Sequence, residues 1–279
     1  MRQVALPDGE TVPALGQGTW NMGERAAAAG DEVAALRLGI DLGMTLIDTA
    51  EMYGDGGAEE IVAKAAAGLR DRLFIVSKVY PHNASAKGTL AACERSLRRL
   101  KTDRIDLYLL HWRGGYTLSE TVAAFEALKA AGKIRHWGVS NLDTADMKEL
   151  VGVPNGQGCA ADQVLYHPDS RGIEFDLMPW CAEQRIPIMA YSPLAHSPSR
   201  LLRSPALQTV ARRLGVGPAQ VAIAWGMRSG NVISIPKATT AAHVRDNAAA
   251  AALVLSEEDL AEIDRAHRPP TRKQGLDML

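Results

Sequence analysis

The chain reads as an α/β protein, a closed (β/α)8 (TIM) barrel, on three observations. A strand-like apolar run followed by a helix-like run recurs eight times. Those units fill about 250 residues, the usual size of such a barrel. The Gly-rich fingerprint expected of an open doubly wound sheet is incomplete, because Asn21 stands where a third glycine would follow Gly16 and Gly18. No Pro/Gly/Ser-rich linker divides the sequence, so residues 1–279 are expected to form one barrel domain.

The elements follow in order. Asp8-Gly9 marks a hairpin turn ahead of the barrel, and 14–20 is the first short strand with its turn. Val33, Leu36 and Ile40 recur at helical spacing over 31–43, with Asp31 as the expected N-cap. The second strand ends at Asp48, bounded behind by Gly43. A helix over 58–69 leads to the third strand, 73–78, and a helix over 89–100 to the fourth, 105–111. The helix 118–130, the fifth strand 134–140 and a short helix from Thr144 come next. The sixth strand is 160–166, followed by a helix over 174–184 and the seventh strand, 187–191. Extra helices over 205–214 and 218–229 separate it from the eighth strand, 231–235. Helices over 241–252 and 256–266 end the pattern, the second being an addition at the C-terminal side of the barrel.

Composition narrows the function classes. With 47% hydrophobic and 23% charged residues and a net charge of −1, the chain has the make-up of an ordinary globular protein. Nothing in that balance suggests nucleic acid or a membrane surface as partner. No run approaches the roughly 18 apolar residues of a membrane span, and Asp8 and Glu10 interrupt any secretory leader. Cys93, Cys159 and Cys181 are few, odd in number and widely spaced, which fits free thiols in a reducing, cytoplasmic setting. The histidines lack H-E-x-x-H spacing and no Gly-x-Ser-x-Gly elbow occurs, so metal and serine-hydrolase chemistry find no motif.

Parallel barrels carry their chemistry at the C-terminal ends of the strands. Asp48 and Tyr53 follow the second strand, Lys78 ends the third and His111 ends the fourth. Neighbouring strands bring these four ends together, and the grouping suits acid-assisted reduction of a carbonyl. A free phenol, with a pKa near 10, is a poor acid at neutral pH. A lysine ammonium within about 4–6 Å is expected to lower that value. Asp48 would hold Lys78, and His111 would donate a hydrogen bond to the substrate oxygen. Taken singly, Lys78 reads as a barrel ion pair, His111 as a core histidine and Tyr53 as a loop residue covering the mouth. Their convergence favours catalysis.

The residues resemble those of the aldo-keto reductases over nearly the whole chain. Leu46-Ile47-Asp48-Thr49-Ala50-x-x-Tyr53-Gly54 is similar to one family signature. Ser96-Leu97-x-x-Leu100-x-Thr102-Asp103-x-Ile105-Asp106-Leu107-Tyr108-Leu109-x-His111-Trp112 is similar to a second. Ile235-Pro236-Lys237 with Asn247 downstream resembles a third. The resemblance implies that Tyr53 is the proton donor in a tetrad with Asp48, Lys78 and His111. It also implies NADPH as cofactor, lying across the barrel mouth. Ser140, Asn141 and Gln163 match positions that hold the nicotinamide carboxamide, and Tyr191 the ring that stacks on it. Ser192 and Leu194 lie in a loop matching the one over the pyrophosphate, and Thr19, Trp20, Asp48 and Ile235 join the expected cofactor contacts.

Lys237, Thr239 and His243 match the adenosine-phosphate end, and Asp246 and Asn247 the positions facing adenine. There the chain departs from the common pattern: Ala238 replaces a frequent serine, and His243 an arginine that would grip the 2′-phosphate in a bidentate fork. NADPH remains the expected cofactor over NADH. Asp162 stands where the family usually has asparagine, and no role is assigned to it.

Trp20, Tyr80, His111 and Trp112 are expected to wall the substrate pocket, with core packing as the plain alternative for the aromatics. The loop after His111 and the segment after Ala266 are short, which suggests an open pocket for small aldehydes, ketones or dicarbonyls such as methylglyoxal. The resemblance implies an enzyme acting on a small carbonyl, without nucleic acid or membrane partners, as a monomer. Two other readings remain. One is an NADP(H)-binding redox sensor like the potassium-channel β subunits, against which the intact tetrad argues. The other is a barrel isomerase or hydrolase using Asp48 and Lys78 without nicotinamide.

Overall fold

A computed structural model describes residues 1–279. β1 (Gln3–Ala5) and β2 (Thr11–Pro13) form an antiparallel hairpin turning at Gly9, whose φ of +93° suits glycine. Val4, Leu6 and Val12 of the hairpin pack into the same cluster as the barrel interior and plug its lower end. The first barrel strand is β3 (Gln17–Gly18), followed by α1 (Ala29–Asp41) and β4 (Leu46–Asp48). Next come α2 (Gly57–Ala66), β5 (Phe74–Val79), α3 (Ala86–Leu100) and β6 (Ile105–Leu110). They are followed by α4 (Leu118–Ala130), β7 (Ile134–Ser140), α5 (Thr144–Gly152) and β8 (Cys159–Leu165). The order ends with α6 (Leu177–Glu183), β9 (Ile188–Tyr191), α7 (Pro198–Leu202), α8 (Pro205–Leu214), α9 (Pro218–Gly226), β10 (Val232–Ser234), α10 (Ala241–Ala250) and α11 (Glu257–Ala266).

Eight parallel strands run in sequence order from β3 to β10. Hydrogen bonds from Gly16 N to Ser234 O (2.8 Å), Ser234 N to Ala14 O (2.8 Å) and Gly18 N to Pro236 O (3.1 Å) join the first strand to the last and close the barrel. Glycine is required at this seam: a Cβ on Gly18 would stand 2.7 Å from the carbonyl oxygen of Ile235.

The period of two along each strand sorts residues between two cores. Outward residues such as Ile75, Val79, Tyr108, Trp137, Val164 and Ile188 join a 48-residue cluster beneath the helices. Inward residues such as Leu46, Val76, Leu107, Leu109, Ala161, Met189 and Ile233 fill the barrel in a 22-residue cluster. The same alternation aims Asp48, Lys78, Ser140, Gln163 and Tyr191 at the barrel axis near its upper end.

Two helix starts and one added helix depart from expectation in instructive ways. α1 begins at Ala29 with Ala28 at the N-cap and no side-chain cap; Asp31 lies in its first turn, where a carboxylate suits the positive end of the helix. α6 starts at Leu177 because Glu174 is drawn into hydrogen bonds with Tyr166, Arg171 and Arg228. α7 adds a helix between β9 and α8 that lacks a periodic signal in the sequence.

Candidate active site

The loop after β4 sets the geometry. It carries Tyr53 through three consecutive residues in the left-handed region, Gly54, Asp55 and Gly56. Gly23 and Gly57 let two backbones meet there, since a Cβ on Gly57 would lie 2.6 Å from the Gly23 oxygen. The loop's other anchor is Glu51, which accepts hydrogen bonds from Tyr80 N (2.9 Å) and Asn83 Nδ2 (3.0 Å) and pairs with Arg95.

Lys78 is fully buried. Its ammonium donates to both oxygens of Asp48 at 2.8 Å, to the Thr49 carbonyl at 2.9 Å and to the Tyr53 hydroxyl at 3.3 Å. Asp48 also accepts from Gln163 Nε2 at 2.7 Å, and Thr19 Oγ1 donates to the Asp48 carbonyl at 2.9 Å. His111 stands edge-on to the Tyr53 ring, with centroids 5.7 Å apart. Its Nδ1 is buried without a partner, which leaves Nε2 as the nitrogen open to the cavity.

The electrostatics correct one expectation. The Tyr53 phenol is held well above its ordinary value of 10, first by burial and then by the Asp48 charge. Lys78 does not offset this, because both oxygens of Asp48 largely neutralise its buried ammonium. Burial lowers the Lys78 value and Asp48 opposes that shift. His111 is pushed down to about 2 by burial and by Lys78, so its imidazole is neutral. Tyr53 is therefore a neutral phenol whose oxygen accepts a hydrogen bond from a buried ammonium.

A second hydrogen-bonded chain edges the same cavity. Tyr191 OH donates to Asn141 Oδ1 (2.9 Å), Asn141 Nδ2 donates to Ser140 Oγ and the His111 carbonyl (both 3.1 Å), and Ser140 Oγ donates to the Gln163 carbonyl (2.7 Å). Asn141 adopts a φ of +59°, a conformation asparagine tolerates better than most residues.

Thr19, Trp20, Asp48, Tyr53, His111, Trp112, Ser140, Asn141, Gln163, Tyr191, Ser192, Ile235 and Lys237 all line this cavity. Lys78 lies beneath it. Leu194 packs against both cores instead of the cavity. Thr239, His243, Asp246 and Asn247 lie beyond Lys237, between the end of β10 and the body of α10, outside the cavity lining. Tyr80 is not at the wall: its ring packs against Trp112 at 5.1 Å and reaches the cavity only through that residue. Asp162 points away from the axis into the helix layer, where neither carboxylate oxygen makes a hydrogen bond of normal geometry.

Four cavity residues lie outside the sequence-based expectation: Gly18, Met52, Met278 and Leu279. The first two adjoin recognised positions. The last two belong to the tail after α11, which folds back over the barrel mouth. Lys273 pairs with Asp176 (3.1 Å), Ser170 Oγ donates to Asp277 (2.6 Å) and Leu276 packs on the outer core. The expectation of an open pocket from short segments is thus corrected, since the tail supplies a wall.

Known proteins are closely similar to this chain. The model of the Aldo/keto reductase family matches residues 14–268. The chain is 55% identical to methylglyoxal reductase YeaE of Escherichia coli (strain K12) over 272 residues, 96% of either chain. It is 34% identical to glyoxal reductase of Bacillus subtilis (strain 168), covering 95% of this chain and 92% of that protein. A crystal structure of an aldo/keto reductase from Klebsiella pneumoniae in complex with NADP and acetate superposes with a TM-score of 0.97. The two share 54% identity over 100% of this chain and 99% of that one. With motif, fold and relatives in agreement, the chain belongs to the aldo/keto reductase family.

Proposed function

We propose that this protein is an NADPH-dependent reductase of small aldehydes and 2-oxoaldehydes, with methylglyoxal as the first substrate to test. The carrying observation is the Tyr53 hydroxyl, 3.3 Å from the buried Lys78 ammonium and beside a neutral imidazole. Relatives named methylglyoxal reductase and glyoxal reductase support the substrate class.

The residues fit a dinucleotide. The cavity extends from Tyr53 and His111, past Tyr191 and the amide and hydroxyl groups of Ser140, Asn141 and Gln163, to the exposed ammonium of Lys237. A hydrogen-bonding edge, an aromatic face and a cation suit a carboxamide, a flat ring and a phosphate in turn. Thr19, Trp20, Ser192 and Ile235 would flank the same groove. Leu194, Thr239, His243, Asp246 and Asn247 would act only at its adenosine end or through the surrounding packing. When bound, NADPH supplies the hydride.

The chain's own groups handle the proton. Tyr53 OH gives its proton to the carbonyl oxygen as negative charge develops there. The Lys78 ammonium then stabilises the phenolate left behind, and Asp48 keeps that ammonium in place. His111 donates a hydrogen bond from Nε2 to the same carbonyl oxygen, orienting it toward Tyr53. Trp20, Trp112, Met52 and the tail exclude water from the reacting atoms.

We further infer that residues 1–279 act as one barrel unit, monomeric, in the cytoplasm and without a nucleic-acid partner. All three cysteines are free and buried, and no helix is long and apolar enough to cross a membrane. The test is loss of NADPH absorbance on adding methylglyoxal to the purified protein. Saturable oxidation is expected. Tight NADPH binding without turnover over a panel of short aldehydes would favour the redox-sensor reading instead.

A further inference from the structure

A second concavity lies on the outer face of the barrel, between α2 and α3. It is a half-open groove of about 470 Å³ lined by Lys64, Arg95, Arg98, Arg99 and Lys101, with Glu60 as its only acidic lining residue. None of its lining side chains is apolar or aromatic. In a chain whose formal net charge is −1, five cations in one groove are a local excess that overall composition does not explain.

Two of the five are held in place by carboxylates beneath them. Arg99 Nε bonds to the fully buried Glu59 at 2.6 Å, and Glu59 also accepts from Ser77 Oγ at 2.6 Å. Arg95 pairs with Glu51 at 3.3 Å. These contacts preorganise both guanidinium groups and reduce the ordering cost a ligand must overcome. Lys64, Arg98 and Lys101 are exposed and lie outside both pairs. Arg98 and Lys101 also sit at the C-terminal end of α3, where the helix contributes about half a negative charge. That charge and the three carboxylates still leave the groove positive.

We propose that this groove binds a compact multivalent anion carrying two or more linked phosphate groups. The volume lies within the range of small-ligand sites. Arginines suit phosphate oxygens through bidentate contacts, and the unpaired lysines add point charge. With no ring on which a base could stack, the phosphates themselves are the recognised feature. The site backs onto the catalytic loop: a Cβ on Gly56 would stand 2.4 Å from Arg99, so Arg99 is packed against the segment that carries Tyr53.

The test is isothermal titration of inorganic tripolyphosphate into the protein at constant ionic strength. One binding event is expected in the wild type and in Lys237→Ala, with orthophosphate at least tenfold weaker. The triple variant combining Lys64→Ala, Arg98→Ala and Lys101→Ala is expected to bind at least tenfold more weakly. These three side chains make none of the groove's carboxylate pairs, so the variant keeps the buried contacts of Arg95 and Arg99. Equal affinity in wild type and triple variant would overturn the proposal, as would binding lost in Lys237→Ala alone or no binding at all. Amide exchange over residues 53–57 is expected to slow on binding, and unchanged exchange would overturn any coupling of the groove to the catalytic loop. None of these readouts uses carbonyl turnover, so failure here is distinguishable from failure of the proposed activity.

Discussion

A phenol 3.3 Å from an ammonium is not made acidic when that ammonium is itself held by a carboxylate. In the proposed mechanism Tyr53 therefore rests as the neutral acid, and Lys78 would act when charge moves onto the phenol oxygen during proton transfer. His111, pushed down to about 2, stays neutral across the physiological range. The rate of carbonyl reduction is accordingly expected to lack an inflection near pH 6.5, the ordinary histidine value. A pH profile of kcat with a step there, abolished in His111→Ala, would contradict the neutral-imidazole assignment.

Asp162 gives a second prediction at this scale. Burial raises its pKa well above the carboxylate range, and the Leu142 amide offsets this only in part. A carboxyl raised on folding favours the native state fully below its unfolded value of about 3.9, and that contribution is lost as pH rises toward the folded value. Asp162→Asn is expected to be more stable at neutral pH by roughly 1–3 kcal/mol, or about 2–4 °C in Tm per kcal/mol. The gain should shrink near pH 4. Thermal melts at two pH values check this, and a gain independent of pH would show that the carboxyl's ionisation is not the cause. The residue itself was legible as a departure from the family pattern. Its environment became legible only once β8 fixed which face it points to.

At the scale of elements, the β4–α2 loop and the tail define the pocket by different means. The loop is locally encoded: Gly54 and Gly56 take positive φ, and Gly23 and Gly57 permit close backbone contact. Gly56→Ala would place a side chain at φ +89° and against Arg99. It is expected to cost about 1–3 kcal/mol and to lower turnover with it. Circular-dichroism melts read the first, and steady-state rates the second; wild-type stability would contradict the strain argument. The tail is encoded by distant partners, Asp277 with Ser170 and Lys273 with Asp176. A polar stretch without periodicity gives no sequence signal of where it docks, so its wall role is illegible before folding. Asp277→Ala is expected to loosen that wall and raise kcat/KM for bulky aromatic aldehydes relative to methylglyoxal. An unchanged ratio would show that the tail does not limit substrate size.

For the whole molecule, alternation of period-two and helical patterns made the barrel legible, since each strand must bury one face inward and one beneath helices. That alternation also made the site legible. Asp48, Lys78, Gln163 and Tyr191 are inward positions at strand ends, whereas Tyr80 stands behind Trp112. Helix starts were less legible: α1 lacks a side-chain cap, and Glu174 serves a partly buried ion cluster instead of opening α6. The barrel's contribution to the proposed function is to hold four side chains, from three successive strand ends and one loop, around one cavity. The most direct test of that claim is paired measurement of kcat and NADPH affinity in Tyr53→Phe, which removes one hydroxyl and keeps the ring. Turnover of methylglyoxal is expected to fall by roughly 10²–10⁴-fold, the range for a lost general acid, with the Kd for NADPH nearly unchanged. Turnover close to wild type, or binding lost in step with rate, would contradict the assignment of Tyr53 as proton donor.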